Sequence, residues 1–94
     1  MTEDTFRVRI AHLVPDGPTV DFLVDGTPVL SGREYGDIPA YTAHQAGEYE
    51  VSVRPVASED PLLRERIRFD PGAAYTVLFV GTATHPEFRL LTDG

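Results

Sequence analysis

Apolar and polar positions alternate along most of the chain, and the alternation marks a series of short strands. Phe6, Val8, Ile10 and Val14 share one phase and Arg7 and Arg9 the other, which predicts a half-buried strand over about Phe6–Val14. His12 falls on the apolar phase. Pro15-Asp16-Gly17-Pro18 ends the strand, because proline lacks a ladder N–H and glycine permits a positive φ. A second strand covers Val20–Val24, with Val20, Phe22 and Val24 inward and Asp21 and Leu23 outward. Asp25-Gly26 suits a type I′ turn, and Pro28 places the short return strand at an edge. Thus Val20 to Gly32 reads as a hairpin.

Residues Ser31 to Pro39 form a looser segment, with Tyr35 and Ile38 as its expected anchors, before a short strand over Tyr41–His44. Gly47 opens the cleanest alternation: in Glu48–Arg54, Tyr49, Val51 and Val53 oppose Glu48, Glu50, Ser52 and Arg54. A loop follows over Pro55–Pro61. In Leu62–Phe69, Leu63, Ile67 and Phe69 share a face with Glu65, and Arg64, Arg66 and Arg68 line the other. If these two strands form a hairpin with Arg54 opposite Leu62, then Glu50 faces Arg66 and Glu48 faces Arg68. The same register sets Tyr49 against Ile67 and Val53 against Leu63, so charges pair on the wet face and apolar groups on the dry one. After Asp70-Pro71-Gly72, Ala74–Gly81 is apolar on both faces, as in a central or covered strand. Glu87–Thr92 supplies the last strand. No 3.6-residue apolar period is sustained, so essentially no α-helix is expected. Seven to eight short strands predict an all-β, antiparallel β-sandwich.

The chain has 94 residues. It therefore reads as one domain over 1–94, with residues 1–5 a loose N-terminal tail. Cysteine is absent, which removes disulfides, thiolate nucleophiles and Cys-based zinc sites. The formal net charge is −7, and all eight basic residues are Arg. Such a chain is repelled by phosphate backbones and anionic membranes, so nucleic-acid binding is not expected, and its longest apolar run, Val77 to Val80, is too short for membrane insertion to be expected. Acid-rich, Lys-free usage points to a halophilic source, and a GC-rich genome favouring Arg codons explains the Lys-to-Arg bias equally well. Met1-Thr2-Glu3-Asp4 is acidic with no apolar run behind it, so the expectation is either a cytoplasmic protein or one whose leader has been removed.

The run AHLVPDGPTVDFLVDGTPVLSG resembles the opening of the domain-of-unknown-function family 4397. The matching features are His12, Pro15-Asp16, Pro18, Val20-Asp21, Val24-Asp25-Gly26-Thr27-Pro28-Val29 and Tyr35-Gly36. Ala46-Gly47-Glu48-Tyr49 and Gly72-Ala73-Ala74-Tyr75-Thr76-Val77 match two further Gly-then-Tyr strand openings. The resemblance covers nearly the whole chain; Leu13-Val14 departs from it, standing where the family usually has small residues. It implies an immunoglobulin-like or transthyretin-like sandwich, a cell-surface setting often in tandem copies, and no particular chemistry.

Candidate chemistry is sparse. No residue stands out as catalytic or cofactor-binding, no cofactor is expected, and the protein reads as a non-enzyme. The weak metal candidates are His12, Asp16, Asp21 and Asp25, with Asp37 nearby. Asp21 and Asp25 share a face but lie roughly 13 Å apart along a strand, too far to chelate one calcium together. His12 is expected to be a buried imidazole bonded to a turn backbone. His44 and His85 are isolated, and the arginine stripe reads as partner to Glu48 and Glu50. Tyr49 and Tyr75 read as core rings with tethered hydroxyls, against a sugar-stacking role shared with Tyr35 and Tyr41. Leu13, Leu23, Leu30 and the second face of Ala74–Gly81 leave apolar surface for an unidentified protein partner or for self-association. The expected function is a structural, interaction or adhesion module. A metal- or ligand-binding, possibly hydrolytic, domain centred on His12 and the Asp-rich turns is the alternative, and a carbohydrate-binding module is a further one.

Overall fold

The alternating stretches pair into two stacked sheets. The computed structural model describes residues 4–82 and 84–93. Its strands are β1 (Thr5–His12), β2 (Val20–Val24), β3 (Thr27–Arg33), β4 (Thr42–Gln45), β5 (Gly47–Pro55), β6 (Leu63–Phe69), β7 (Ala74–Gly81) and β8 (Pro86–Thr92). One sheet has the order β4-β1-β7-β8 and the other β3-β2-β5-β6. The fold is all-β, and among the described residues no helix is long and apolar enough to cross a membrane. The tail expected over residues 1–5 already becomes strand at Thr5, and the Asp4 carbonyl accepts the Ala46 N–H at 2.7 Å. Positions 1–3 of that expected tail lie outside the described residues.

The β5–β6 hairpin has the expected register: Glu48 faces Arg68, Tyr49 faces Ile67, Glu50 faces Arg66 and Val53 faces Leu63. The side-chain pairing differs. Arg66 reaches diagonally to Glu48 at 4.0 Å, and Arg68 turns to Asp70 at 3.6 Å. Exposed arginines are long enough to choose diagonal partners, so these pairs report register and add little stability. The Asp25-Gly26 turn has φ of 51° and 83° at its two central residues, as a type I′ turn requires. Pro28 sits in β3, an edge strand whose pairing with β2 is broken by two register shifts. Proline and such irregularities blunt an edge against further pairing. The doubly apolar β7 is central, between β1 and β8.

Three expectations need correction. The β1–β7 pair is parallel, from Arg7 opposite Ala74 to His12 opposite Phe79, while the other pairs run antiparallel. A parallel pair needs a long crossover, and here all of the second sheet lies within it. Leu23, expected outward, is buried. It lines an outer hollow with Ser52, Glu59 and Pro61, so residues of the β5–β6 loop help to cover it. Tyr35 and Ile38 do not anchor their segment; they are 56% and 58% exposed. Backbone bonds hold it instead. The Gly36 N–H donates to the His12 carbonyl at 2.8 Å, and the His12 N–H donates to the Asp37 carbonyl at 3.2 Å. The segment thus lies beside the end of β1 with those two side chains outside.

The core divides into two aromatic groups. Phe6 stacks on Phe69 at 4.4 Å between centroids, and Tyr75 meets Phe69 edge-on at 5.0 Å. At the other end Phe22 and Phe79 meet edge-on at 5.8 Å, among Val14, Val20, Val53 and Val77. On one side the sandwich is drawn together by contact between β6 and β8. On the other side, an apolar cleft lies between the β3 and β4 edges.

Candidate functional site

The residues that first attracted a chemical reading serve the scaffold. His12 is fully buried. Its Nε2 lies 2.9 Å from the Pro18 carbonyl, and its Nδ1 accepts the Val14 N–H at 3.3 Å. A carbonyl can only accept and an N–H can only donate, so these partners place the ring proton on Nε2. Gly17 lies close beneath: a Cβ there would stand 2.9 Å from the Val14 side chain and 3.2 Å from the imidazole. The ring therefore ties the 13–18 turn to the core and faces Phe79 at 5.2 Å.

Asp21 accepts the Gly32 N–H at 3.0 Å and lies 3.7 Å from Arg54. Asp25 accepts the Glu50 N–H at 2.8 Å, fastening the hairpin turn to β5. Asp37 accepts the Glu34 N–H at 2.8 Å. Asp16 is exposed in the turn before Gly17. Among the described residues no three His, Cys, Asp or Glu groups are brought together as a metal site. His85 bonds within its own turn, to Thr82 and Thr84. The Tyr75 hydroxyl accepts the Asp70 N–H at 2.9 Å, and the Tyr49 hydroxyl donates to the Gln45 carbonyl, so both rings are tethered.

Sequence reading missed two constellations. The first is on the outer face of the β4-β1-β7-β8 sheet. The Thr76 hydroxyl accepts from Arg9 Nε at 3.0 Å and donates to the Asp93 carboxylate at 2.5 Å. The Tyr41 hydroxyl donates to the same carboxylate at 2.6 Å, while Arg9 stacks over the Tyr41 ring at 4.7 Å. The Thr76 and Tyr41 hydrogen bonds hold the exposed Asp93 carboxyl below its ordinary value of 3.8; desolvation opposes them and the Arg9 charge assists. A carboxyl depressed by folding stabilises the fold above its unfolded pKa, and that stability is lost as pH falls through the folded value. The wild type should therefore exceed Asp93→Asn in thermal midpoint above about pH 4, with the gap closing below pH 3.8. A gap constant down to pH 2 would refute the account.

The second constellation is the cleft. It encloses about 240 Å³ between the sheets. Its walls include Phe6, Val8 and Ile10 of β1, Val24 of β2, Leu30 of β3 and Val51 of β5. Pro39 and Ala40, from the β3–β4 connection, also line it, and Tyr49 spans from β5 to the Gln45 carbonyl in β4. Thr42 and His44 contribute side-chain polarity from β4. They face Val8 and Phe6 across the pair, and their side chains bond to each other at 2.9 Å. Arg9 also borders the cleft, with its guanidinium engaged by Thr76 and Tyr41. Of the expected apolar surface, Leu23 is buried, Leu13 is half-buried and Leu30 belongs to the cleft wall.

The model of a protein family described as a domain of unknown function (DUF4397) matches residues 6–94. No curated protein matches the chain.

Proposed function

The chain belongs to the DUF4397 family, and from that premise we propose that it is a non-enzymatic interaction module that captures an apolar group in the cleft between its sheets. The cleft itself carries this reading: about 240 Å³ bounded by core side chains and bordered by two sheet edges. An apolar void that water does not fill leaves its lining atoms without dispersion partners. Packed cores hold few voids of that size, and an apolar one readily takes an apolar guest. The non-enzymatic part is supported by His12, Asp21 and Asp25, each held in contacts that maintain the scaffold. Sugar stacking has less support, because Tyr41 carries Arg9 over its ring and Tyr49 and Tyr75 are tethered inside.

Xenon is the cleanest probe, since it enters apolar cavities without needing a polar partner. Under xenon pressure, NMR methyl shifts should saturate at Val8, Val24, Leu30 and Val51, and should vanish in a filled Val8→Phe variant. Shifts scattered over the surface, or no shifts, would refute the reading.

A further inference from the structure

We propose that the cleft is a binding site for a small neutral ligand built on one aromatic ring and carrying one hydroxyl. This rests on the reading above and adds the chemical class. Four observations carry it.

Size comes first. The cleft holds about 240 Å³, against roughly 150 Å³ for an engineered cavity that binds benzene. One ring with a substituent fits within that space. Shape comes second. The site lies between two stacked sheets, which pack about 10 Å apart, and Phe6, Tyr49 and Phe69 present rings to it. Those three rings lie within 6.2 Å of one another between centroids, so a flat guest gains edge and face contacts as they do.

Charge is the third. Among the described residues no Asp or Glu lines the cleft. Its one arginine, Arg9, has its guanidinium engaged with Thr76 and Tyr41. A cation would enter without a counter-charge. An anion would enter a chain of net charge −7, where the lining guanidinium of Arg9 is already held by Thr76, by the Tyr41 ring and by the charge of Asp93. A neutral guest avoids both penalties.

The fourth observation is the polar lip. Thr42 and His44 are two apart on β4, so they share its inner face. The Thr42 hydroxyl lies 3.4 Å from the Val8 carbonyl and 2.9 Å from His44 Nε2. If the hydroxyl donates to Val8, Nε2 carries the proton and Nδ1 is left as an acceptor. A ligand hydroxyl can donate to that nitrogen while its ring contacts the apolar wall. The site thus has the form expected of a small-molecule pocket: apolar walls with a few convergent polar groups that set orientation.

The test is an NMR titration of the isotope-labelled chain with four probes of one ring size: toluene, p-cresol, p-toluate and 4-methylbenzylammonium. The expected result is saturable binding of p-cresol and toluene, with methyl shifts at Val8, Leu30 and Val51. p-Cresol should bind about 3- to 10-fold more tightly, the worth of one hydrogen bond. The charged probes should bind at least about tenfold more weakly. In a Thr42→Val/His44→Phe variant, whose fold is checked by its amide spectrum, the p-cresol advantage should disappear while toluene still binds. Equal affinity for p-cresol and toluene, unchanged p-cresol affinity in the variant, or equal binding of a charged probe would overturn the ligand class. Xenon entry without any aromatic binding would overturn it too and leave the proposed function standing. Failure of xenon as well would overturn both.

Discussion

Replacing Phe79 by alanine should cost about 3–5 kcal/mol, read as a fall in the urea midpoint at unchanged slope. Phe79 is fully buried toward the end of the central strand β7, and its ring meets Phe22, His12 and Phe88 at 5.8, 5.2 and 6.0 Å. It lies where both sheets and the 13–18 turn converge, so no single neighbour can move in to fill the space without uncovering another. A domain's whole stability is about 5–15 kcal/mol, so the variant should be close to unfolding at room temperature. A loss below about 1.5 kcal/mol would mean that this end of the core collapses freely around the gap, against the packing described.

The second large effect is expected for His12→Leu. Leucine approximates the ring's bulk, so the loss should come mainly from polarity. The Pro18 carbonyl and the Val14 N–H would both be left without their partner, at about 1–3 kcal/mol for each group. The expected cost is about 2–5 kcal/mol, with the largest shift changes at residues 13–18 and xenon uptake in the cleft preserved. His12→Gln should recover part of the loss, because an amide offers both a donor and an acceptor. A His12→Leu variant as stable as the wild type would show that the imidazole does not tie down the turn.

These two residues also mark the boundary between what could be read in the sequence and what could not. Local pairing was legible. Residues 47–69 carry charges and apolar groups in matching phase, and the register expected from them, with Glu48 opposite Arg68 and Tyr49 opposite Ile67, is the one observed. Asp25-Gly26 names its turn because few residue pairs tolerate two positive φ values. The double apolar face of Ala74–Gly81 called for a central or a covered strand, and the strand is central.

Contacts between distant segments left no such trace. The parallel pairing of β1 with β7 depends on which strands meet after the second sheet has folded, and neither strand encodes its partner's direction. Leu23 alternates as an outward residue, and its cover comes from a loop more than thirty positions later. Tyr35 and Ile38 looked like anchors because they are the bulky apolar groups of a polar segment, yet backbone bonds to His12 made anchors unnecessary.

The sites were less legible than the fold. Asp93 gathers Thr76, Tyr41 and Arg9 from three separate parts of the chain, and none of the four forms a motif with a sequence neighbour. The cleft is a missing volume between two edges, and a void has no residues of its own. One signal was available and was passed over. Thr42 and His44 are the same-phase polar pair of a short edge strand, which placed two hydrogen-bonding groups toward the interior at its rim.

The parallel β1–β7 pair has a consequence for how the chain acquires its structure. The β3-β2-β5-β6 sheet can assemble from segments in near succession, with hairpins at its β2–β3 and β5–β6 joins. The other sheet cannot: β1 emerges early during synthesis, and its neighbours β4 and β7 follow much later. Until then Phe6, Val8 and Ile10 have no sheet partner, and both edges of β1 are open. The entropy of closing the long loop to β7 falls on that single event. Sheets dominated by such distant pairings form in milliseconds to seconds rather than microseconds. The strand that builds one wall of the cleft is thus the one that waits longest for its place.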